Sequence, residues 1–336
     1  MGSAVPAVVG AWRMQASGST ASLRGVSAVD ENVAWAGGSG GTYLRTVDGG
    51  ATWRADTVPG MTGVEFRDVQ AFSADRALLL TAGQPARVYR TEDGGRHWAA
   101  AYQAADTAAF FDGMAFWNAR DGIAFSDPVG GRFLIVTTAD GGRSWTTVSA
   151  ERAPVPLPGE AAFAASGTAV AVQGSGRAWI VTGGGAVARV LRTEDRGATW
   201  TVDTLPIAAG SASSGAFGVA FRDAGHGVVV GGDYRSERAG GQAARSADGG
   251  RTWMLGPPPS PAGVREGAVY VPGAARPTLV VVGPAGTGWS VDDGASWIAA
   301  DSGGFHAVSF AGPRAGWAVG AGGRVARWTG AIPGGR

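Results

Sequence analysis

Residues 46–53 read Thr-Val-Asp-Gly-Gly-Ala-Thr-Trp, and the pattern [Ser/Thr]-x-Asp-x-Gly-x-x-Trp that they spell occurs five more times. The other copies are TEDGGRHW at 91–98, TADGGRSW at 138–145, TEDRGATW at 193–200, SADGGRTW at 246–253 and SVDDGASW at 290–297. Six matches to a four-position pattern are far beyond chance. The sequence therefore predicts a repeat protein.

Each copy is predicted to form a tight turn between two antiparallel strands. The carboxylate would accept backbone N–H groups across the turn, glycine would supply a positive φ, and the tryptophan would fold back as an apolar plug. Calcium is not favoured, because each copy offers one carboxylate whereas calcium takes about six to eight oxygen ligands. The pattern thus assigns a structural role to Asp48, Asp93, Asp140, Asp195, Asp248 and Asp292.

The repeated pattern resembles the Asp-box, also called the bacterial neuraminidase repeat, of β-propeller proteins. In those proteins the motif lies on the hairpin between the third and fourth strands of a blade. The resemblance covers essentially the whole chain. It is specific for fold rather than function, since sialidases, some endoglucanases, sortilin-type receptors and photosystem assembly factors all carry the motif.

The spacing of the boxes predicts the number of blades. Successive box aspartates are 45, 47, 55, 53 and 44 residues apart, which fits four short strands, named a to d in chain order, with their turns. Units of strands a, b and c begin near Leu23, Val69, Gly113, Ala161, Gly218, Gly267 and Ala307. The sequence therefore predicts an all-β, seven-bladed β-propeller with four-stranded antiparallel blades.

The seventh unit ends without a box and lacks strand d. Residues 10–15, GAWRMQ, resemble residues 51–56, ATWRAD, which end a box and begin a strand d. We therefore predict that the N-terminal strand closes the last blade, which removes free sheet edges. Residues 10–330 are expected to form this single domain, with 1–9 a disordered tag or leader remnant and 331–336 a tail.

Two repeats depart from the period. In the fourth, residues 160–165 are either strand a or an inserted loop before a strand at 168–173. In the fifth, a long polar connection at 233–241 joins strands b and c. Insertions in a repeat protein usually lie on its binding face.

Composition narrows the classes of function. The net charge of +1 and the 16% of charged residues give no global field that would attract nucleic acid. Cysteine is absent, so disulfides, a thiolate nucleophile and cysteine-ligated metals are excluded. No run of 18 apolar residues occurs, so we expect no membrane span. We also expect a monomer without metal or cofactor.

The N-terminal residues 1–6 carry no basic and apolar export signal and look like a cloning remnant. Asp-box proteins mostly work outside the cytoplasm. The resemblance therefore implies a periplasmic or extracellular protein whose signal peptide is absent from this sequence.

Arginine ends most of the strands c, at Arg45, Arg90, Arg192, Arg245 and Arg327. We interpret these side chains as a ladder of salt bridges within the repeats. In the photosystem assembly factors an arginine-rich patch is implicated in partner binding. Thr137 and Trp289 stand at the matching positions of the third and sixth blades.

Function is expected where the repeat is broken, because a residue type found in every blade is explained by the blade. Strand a is innermost and begins on the face opposite the boxes, which we call the mouth. Counting back from the aromatic anchor of each strand a predicts a ring of polar positions there: Arg24, Arg67, Asp68, Asp112, Arg265, Glu266 and His306. The ends of strands b add Asp127, Asp233 and the adjacent Tyr234.

Two functions follow from this mouth. The overall pattern is most similar to the photosystem II stability/assembly-factor family and its bacterial relatives. That resemblance implies an exported binding or assembly propeller whose partner is a protein or a polar or glycan ligand.

The alternative function is a glycoside hydrolase with Asp112, Asp127, Glu266 and His306 as catalytic candidates. A sialidase-like site would need three arginines, for which Arg24, Arg67 and Arg265 are available, together with Tyr234 or Tyr270, Glu266 and Asp68. The sialidase Arg-Ile-Pro motif is missing. A two-carboxylate glycosidase using a pair such as Asp112 and Asp127 is also chemically possible.

Overall fold

The structure is a computed structural model that describes residues 12–238 and 240–330. Within these residues, 28 strands form seven four-stranded antiparallel sheets, accompanied by two short 3-10 helices, Tyr234–Ser236 and Ala321–Gly323. The predicted seven-bladed β-propeller is thereby confirmed. The predicted leader remnant at 1–9 and tail at 331–336 lie outside the described residues.

Six of the blades consist of four consecutive strands, a to d from the axis outward. Blade 1 contains β2 (Leu23–Ala28), β3 (Ala34–Gly38), β4 (Thr42–Thr46) and β5 (Arg54–Thr57); blade 2 contains β6 (Glu65–Ala71), β7 (Ala77–Ala82), β8 (Arg87–Thr91) and β9 (Ala99–Gln103). Blade 3 contains β10 (Phe111–Phe116), β11 (Gly122–Val129), β12 (Arg132–Thr138) and β13 (Thr146–Thr147); blade 4 contains β14 (Val170–Gln173), β15 (Arg177–Val181), β16 (Arg189–Thr193) and β17 (Thr201–Thr204).

The remaining blades follow the same order, except that the outer strand of blade 7 comes from the N-terminal end of the chain. Blade 5 contains β18 (Ser214–Phe221), β19 (Gly227–Asp233), β20 (Gln242–Ser246) and β21 (Met254–Leu255); blade 6 contains β22 (Gly267–Tyr270), β23 (Leu279–Gly283), β24 (Gly286–Ser290) and β25 (Ile298–Asp301). Blade 7 contains β26 (Ala307–Gly312), β27 (Ala315–Val319), β28 (Val325–Trp328) and the N-terminal β1 (Trp12–Gln15).

Strand β1 closes the ring. It pairs antiparallel with β28, with Trp12 opposite Trp328 and Gln15 opposite Val325. The Trp12 ring packs against Trp328 and Phe305 at centroid distances of 5.4 and 5.7 Å. The predicted closure through the N-terminus is confirmed, and it leaves blade 7 without a free edge next to β28.

The six box turns share one hydrogen-bond scheme, shown here for blade 1, except that His97 takes the place of the second hydroxyl in blade 2. The Thr46 hydroxyl donates to Asp48 Oδ1 (2.9 Å) and accepts from the backbone N–H of Gly50 (2.8 Å). Thr52 donates to the same carboxylate from its N–H (2.9 Å) and its hydroxyl (2.5 Å), and these bonds lower the pKa of Asp48 to about 2. Gly50 has a φ of +79°, which an L side chain rarely adopts.

The box tryptophans are less buried than we expected. Trp53 is buried, whereas the five other box tryptophans are half-buried. The largest buried rings come instead from strands b and c, at Trp35, Trp179, Trp317, Trp289 and Trp328. These rings lie between adjacent blades, because the facing sides of both sheets are apolar there. The box rings cover the outer edge of that core.

The recurring arginines link neighbouring blades as well as positions within a repeat. Arg45 donates to Gly94 O of blade 2 (3.2 Å), and Arg327 donates to Gly49 O of blade 1 (2.8 Å). Arg90 pairs with Glu92 of its own repeat, as predicted, at 2.5 Å. The expected ladder within repeats is therefore partly replaced by bonds to the next box, because the exposed carbonyls of each box face the preceding blade.

Candidate functional site

The mouth side chains project from β-bulges in the innermost strands. The register of strand a against strand b shifts by one residue at Arg24, Arg67, Asp112 and Phe217. A bulge of this kind re-aims the extra side chain out of the sheet. Glu266 and His306 directly precede β22 and β26 and occupy the same position in blades 6 and 7. The mouth ring is thus built by a repeated backbone irregularity.

Two residues predicted for this ring lie elsewhere. Asp68 follows the bulge, is 7% exposed, and accepts the backbone N–H groups of Val69 and Met114 at 2.7 Å each. Burial raises its pKa well above the usual value. The Asp68 carboxyl therefore joins blade 2 to blade 3 beneath the mouth.

Arg265 precedes the ring position by one residue. Its register position is that of Leu23, Phe66, Phe111 and Phe305, which are buried apolar residues. Arg265 is fully buried, and its guanidinium donates to Gly286 O at 3.3 Å. Among the described residues its Nε and Nη2 have no partner, and burial lowers its pKa to about 10. The three arginines of a sialidase-like site therefore do not converge.

An ionic chain runs around one side of the mouth. Glu65 accepts two bonds from Arg67, at 3.0 and 2.8 Å, and lies 3.9 Å from Arg24. Arg24 reaches Glu266 at 3.7 Å, and Glu266 lies 2.6 Å from Nδ1 of His306. The chain joins blades 1, 2, 6 and 7 and fixes both arginines against carboxylates.

The mouth contains a cavity of about 330 Å³, which we call the mouth cavity. Its lining includes Arg24, Arg67, Asp112, Tyr234 and Glu266 from the predicted set, together with Phe110, Ala162, Phe163, Ala164, Ala165, Phe217 and Glu237. Cavities of about 390 and 410 Å³ lie on the box face. We place the candidate site at the mouth because it combines a buried unpaired carboxyl with aromatic rings.

Asp112 is that buried carboxyl. It is 1% exposed, and neither of its oxygens has a hydrogen-bond partner among the described residues. The nearby N–H of Asp127 bonds to Phe110 O instead, at 3.0 Å. Burial raises the pKa of Asp112 well above its usual value, and the charge of Asp127 raises it further. The backbone N–H of Asp127 and the charge of Arg67 act in the opposite direction and lower the pKa. Burial therefore favours the protonated form of Asp112, whereas a cation beside it would favour the carboxylate.

Asp127 stands at the matching bulge of β11, where the register against β12 shifts between Ser126 and Pro128. Its Oδ1 accepts the backbone N–H of Ala162 at 2.8 Å. Burial raises the pKa of Asp127 to about 6. Two carboxyl groups of blade 3 thus favour their protonated forms beside the mouth.

The extra residues of the fourth repeat cross the mouth. Strand a of blade 4 is β14, so the second of the two predicted alternatives, an inserted loop before the strand, is correct. Residues 161–168, which we call the crossing segment, bond to three other blades: Ala162 N to Asp127 Oδ1 (2.8 Å), Arg67 Nη1 to Ala164 O (3.2 Å) and Ser166 Oγ to Glu266 O (2.6 Å). The segment forms part of the cavity lining and narrows the central channel beneath it.

The other insertion brings an aromatic side chain to the mouth. Asp233 ends β19 and caps the 3-10 helix Tyr234–Ser236 by accepting Arg235 N at 2.9 Å, so its carboxylate is committed to the backbone. Tyr234 is 44% exposed and lies edge-on to Phe163 and Phe217, at 6.2 and 6.4 Å. Phe163 and Phe217 lie against each other at 4.3 Å. Three rings from two blades thus line one wall.

Sequence reasoning missed several contributors to the site, and two of them, Glu65 and Phe163, show why. Glu65 holds both ring arginines, and its position two residues before Arg67 was the available signal, because alternate residues of a strand share a face. Phe163 lies in the crossing segment, which the lengthened fourth repeat had marked without identifying its residues.

The described residues suggest neither a metal site nor a membrane span. Across 12–238 and 240–330, no three His, Asp or Glu side chains converge as a metal ion would require. No helix in those ranges has the length and apolar character needed to cross a bilayer.

No family model and no curated protein matches the sequence. Among solved structures, the chain is similar to "YCF48 bound to D1 peptide", with 18% identity, a TM-score of 0.68, and coverage of 97% of this chain and 99% of that chain. YCF48 from Cyanidioschyzon merolae matches with 18% identity and a TM-score of 0.67, covering 95% and 98%. These neighbours bear out the predicted structural resemblance to the photosystem II assembly factors.

A glycoside hydrolase is a further neighbour. The GH74 xyloglucanase from Xanthomonas campestris matches with 17% identity and a TM-score of 0.64, covering 95% of this chain and 54% of that chain. At such identities the similarity shows the propeller fold alone. Function must therefore be argued from the site.

Proposed function

We propose that the protein is a binding propeller that holds a protein partner or a small polar ligand in the mouth cavity. The observation that carries the proposal is Asp112, a buried carboxyl without a partner at the wall of a cavity lined by side chains of five blades. A polar group left unpaired in a folded core is unfavourable unless a ligand satisfies it. The similar YCF48 structure holds a D1 peptide, which supports a protein partner.

The mouth is suited to binding because its parts are fixed in advance. Arg67 is held by hydrogen bonds to Glu65, Arg24 lies within ion-pair distance of Glu65 and Glu266, and the crossing segment is held by bonds to three blades. A pre-formed site loses less conformational entropy when it binds. We further propose that the protein acts as a monomer in the periplasm or outside the cell.

The test is a screen of peptide and glycan arrays with three proteins. Wild type should give signals that the double variant Phe217→Ala/Tyr234→Ala loses, because the variant removes two rings of the cavity. Arg143→Ala, on the box face, is the control and should keep them. Signals that survive in the mouth variant but disappear in Arg143→Ala would overturn the proposal.

A glycoside hydrolase is the second candidate, favoured by the two carboxyl groups of blade 3. Asp127 has its pKa raised to about 6, which suits a general acid near neutral pH. A panel of chromogenic glycosides and polysaccharides tests this function. The double variant Asp112→Asn/Glu266→Gln should abolish hydrolysis by an enzyme, whereas in a binding protein it should only weaken ligand binding. Absence of hydrolysis by wild type across the panel would reject this alternative.

A further inference from the structure

We propose that the mouth cavity is specific for an organic cation, a primary ammonium group that pairs with Asp112 and packs on the rings of Phe163, Phe217 and Tyr234. This inference rests on the proposed binding at the mouth. The ammonium group could belong to a free amine or to a lysine side chain, and the two sources are separated by the test below.

The first argument is charge. Arg67 is committed to Glu65 by two hydrogen bonds, and Arg24 lies between Glu65 and Glu266 at 3.9 and 3.7 Å. Asp112 has no such partner among the described residues. Glu237 adds a further carboxylate to the lining. Once the ionic chain has matched the arginines, the carboxylate of Glu237 and the unpaired carboxyl group of Asp112 remain, so the group that would complement the cavity is a cation.

The second argument is the shape of the aromatic wall. Phe163 and Phe217 lie 4.3 Å apart with their planes 30° apart, and Tyr234 meets them at 76° and 77°. The rings therefore form a floor and a side wall rather than a single flat platform. Ring faces attract cations through their negative quadrupole, and this attraction is strongest where water is excluded. A compact ammonium head fits such a corner, while a flat sugar ring would need a broader surface.

The third argument is the protonation of Asp112. The charged groups around it are Arg67 from β6 and Asp127 from β11, with Arg24, Glu237 and Glu266 in the remaining lining. Burial and the charge of Asp127 favour the protonated carboxyl, whereas Arg67 favours the carboxylate. An incoming ammonium stabilises the carboxylate, so the proton on Asp112 passes to solvent as the ion pair forms. Cation binding should therefore release protons, whereas binding of a neutral ligand should not.

The experiment is calorimetric titration of the full chain with four probes: blocked lysine, blocked norleucine, which lacks the ammonium group, free butylamine and glutarate. Titrations in phosphate and in HEPES, neither of which carries a primary ammonium group and whose ionisation enthalpies differ, give the number of protons released. Blocked lysine should bind at least about tenfold more tightly than norleucine, release protons when it binds, and bind more tightly as the pH rises. Butylamine binding as tightly as blocked lysine would assign the site to free amines, and weaker binding would assign it to lysine side chains.

Two variants test which side chains bind the ammonium group and which one releases the proton. Asp112→Asn keeps the shape of the side chain and should weaken lysine binding about tenfold or more while removing the proton release. Tyr234→Ala alters an exposed ring, should weaken binding several-fold, and should leave the proton release intact. Because Tyr234 is 44% exposed, this variant should fold even if Asp112→Asn does not.

The two proposals fail in different ways. Tighter binding of norleucine or glutarate than of lysine, or lysine binding without proton release, would overturn the cation inference and leave a mouth that binds something else. If neither Asp112→Asn nor Tyr234→Ala changes the affinity of any probe that binds wild type, both the cation inference and the proposed binding at the mouth are overturned.

Discussion

Arg265→Met should make the protein more stable, although it deletes a charged side chain next to the mouth ring. Burial lowers the pKa of Arg265 from its ordinary value to about 10, and this shift corresponds to about 3 kcal/mol of unfavourable desolvation in the folded state. The variant loses the 3.3 Å bond to Gly286 O, worth about 1 kcal/mol. The free energy of unfolding should therefore rise by about 2 kcal/mol, because methionine fills the apolar position without a charge.

Urea denaturation at pH 7, followed by tryptophan fluorescence, measures this difference. For a chain of 336 residues an entropy of about 2.1 cal/mol/K per residue converts 2 kcal/mol into a rise in Tm of about 3 °C. The desolvation penalty is present below pH 10 and shrinks above it as the folded guanidinium loses its proton. Arg152→Met, at an exposed position, is the control and should change little. A loss of stability greater than about 1 kcal/mol in Arg265→Met would refute the reasoning, since it would show that the buried charge is compensated.

Three further outcomes follow from the fold and the site. Deleting residues 1–16 removes β1, so the free energy of unfolding should fall by several kcal/mol and the bare edge of β28 should promote aggregation; an unchanged Tm would contradict this. Asp140→Ala removes the acceptor for the N–H groups of Arg143 and Ser144 and should lower the free energy of unfolding by about 1 to 3 kcal/mol. Ligand affinity should stay intact because the boxes lie on the opposite face. A collapse of affinity with stability retained would mean that the binding face was wrongly assigned. Burial raises the pKa of Asp127 to about 6, so the folded state holds its proton more tightly than the unfolded state, and stability should fall by up to about 3 kcal/mol between pH 4 and pH 6 and then level off. Asp127→Asn should remove that fall, and an identical pH profile for the variant and wild type would count against the assignment.

The fold was predictable because its signals are local and repeated. A hydroxyl, a carboxylate, a glycine and a tryptophan within eight residues define each box turn, and Trp12 followed by Arg13 repeats the end of a box. These features do not depend on contacts between distant parts of the chain. Seven blades and their closure could therefore be predicted from local sequence patterns.

The mouth was only partly predictable because the aromatic anchor does not stand at the same place in every strand a. In blade 2 the anchor Phe72 lies one residue beyond the end of β6, so counting back reached Asp68 instead of Arg67, which occupies the bulge. Arg265 lies one residue before the ring position of blade 6. Nothing in a single sequence marks such a displacement. Phe163 was beyond reach for another reason, since the crossing segment has no counterpart in the other repeats.

The closure through β1 also fixes when the ring can be completed during synthesis. Arg13 pairs with Arg327, and 327 − 13 gives a separation of 314 residues. At about 5 to 20 residues per second, a ribosome needs roughly 15 to 60 seconds between making the two strands. Throughout that time β1, with Trp12 at its start, has no partner strand. Unless β1 is kept away from other chains until β28 emerges, it can pair with them instead.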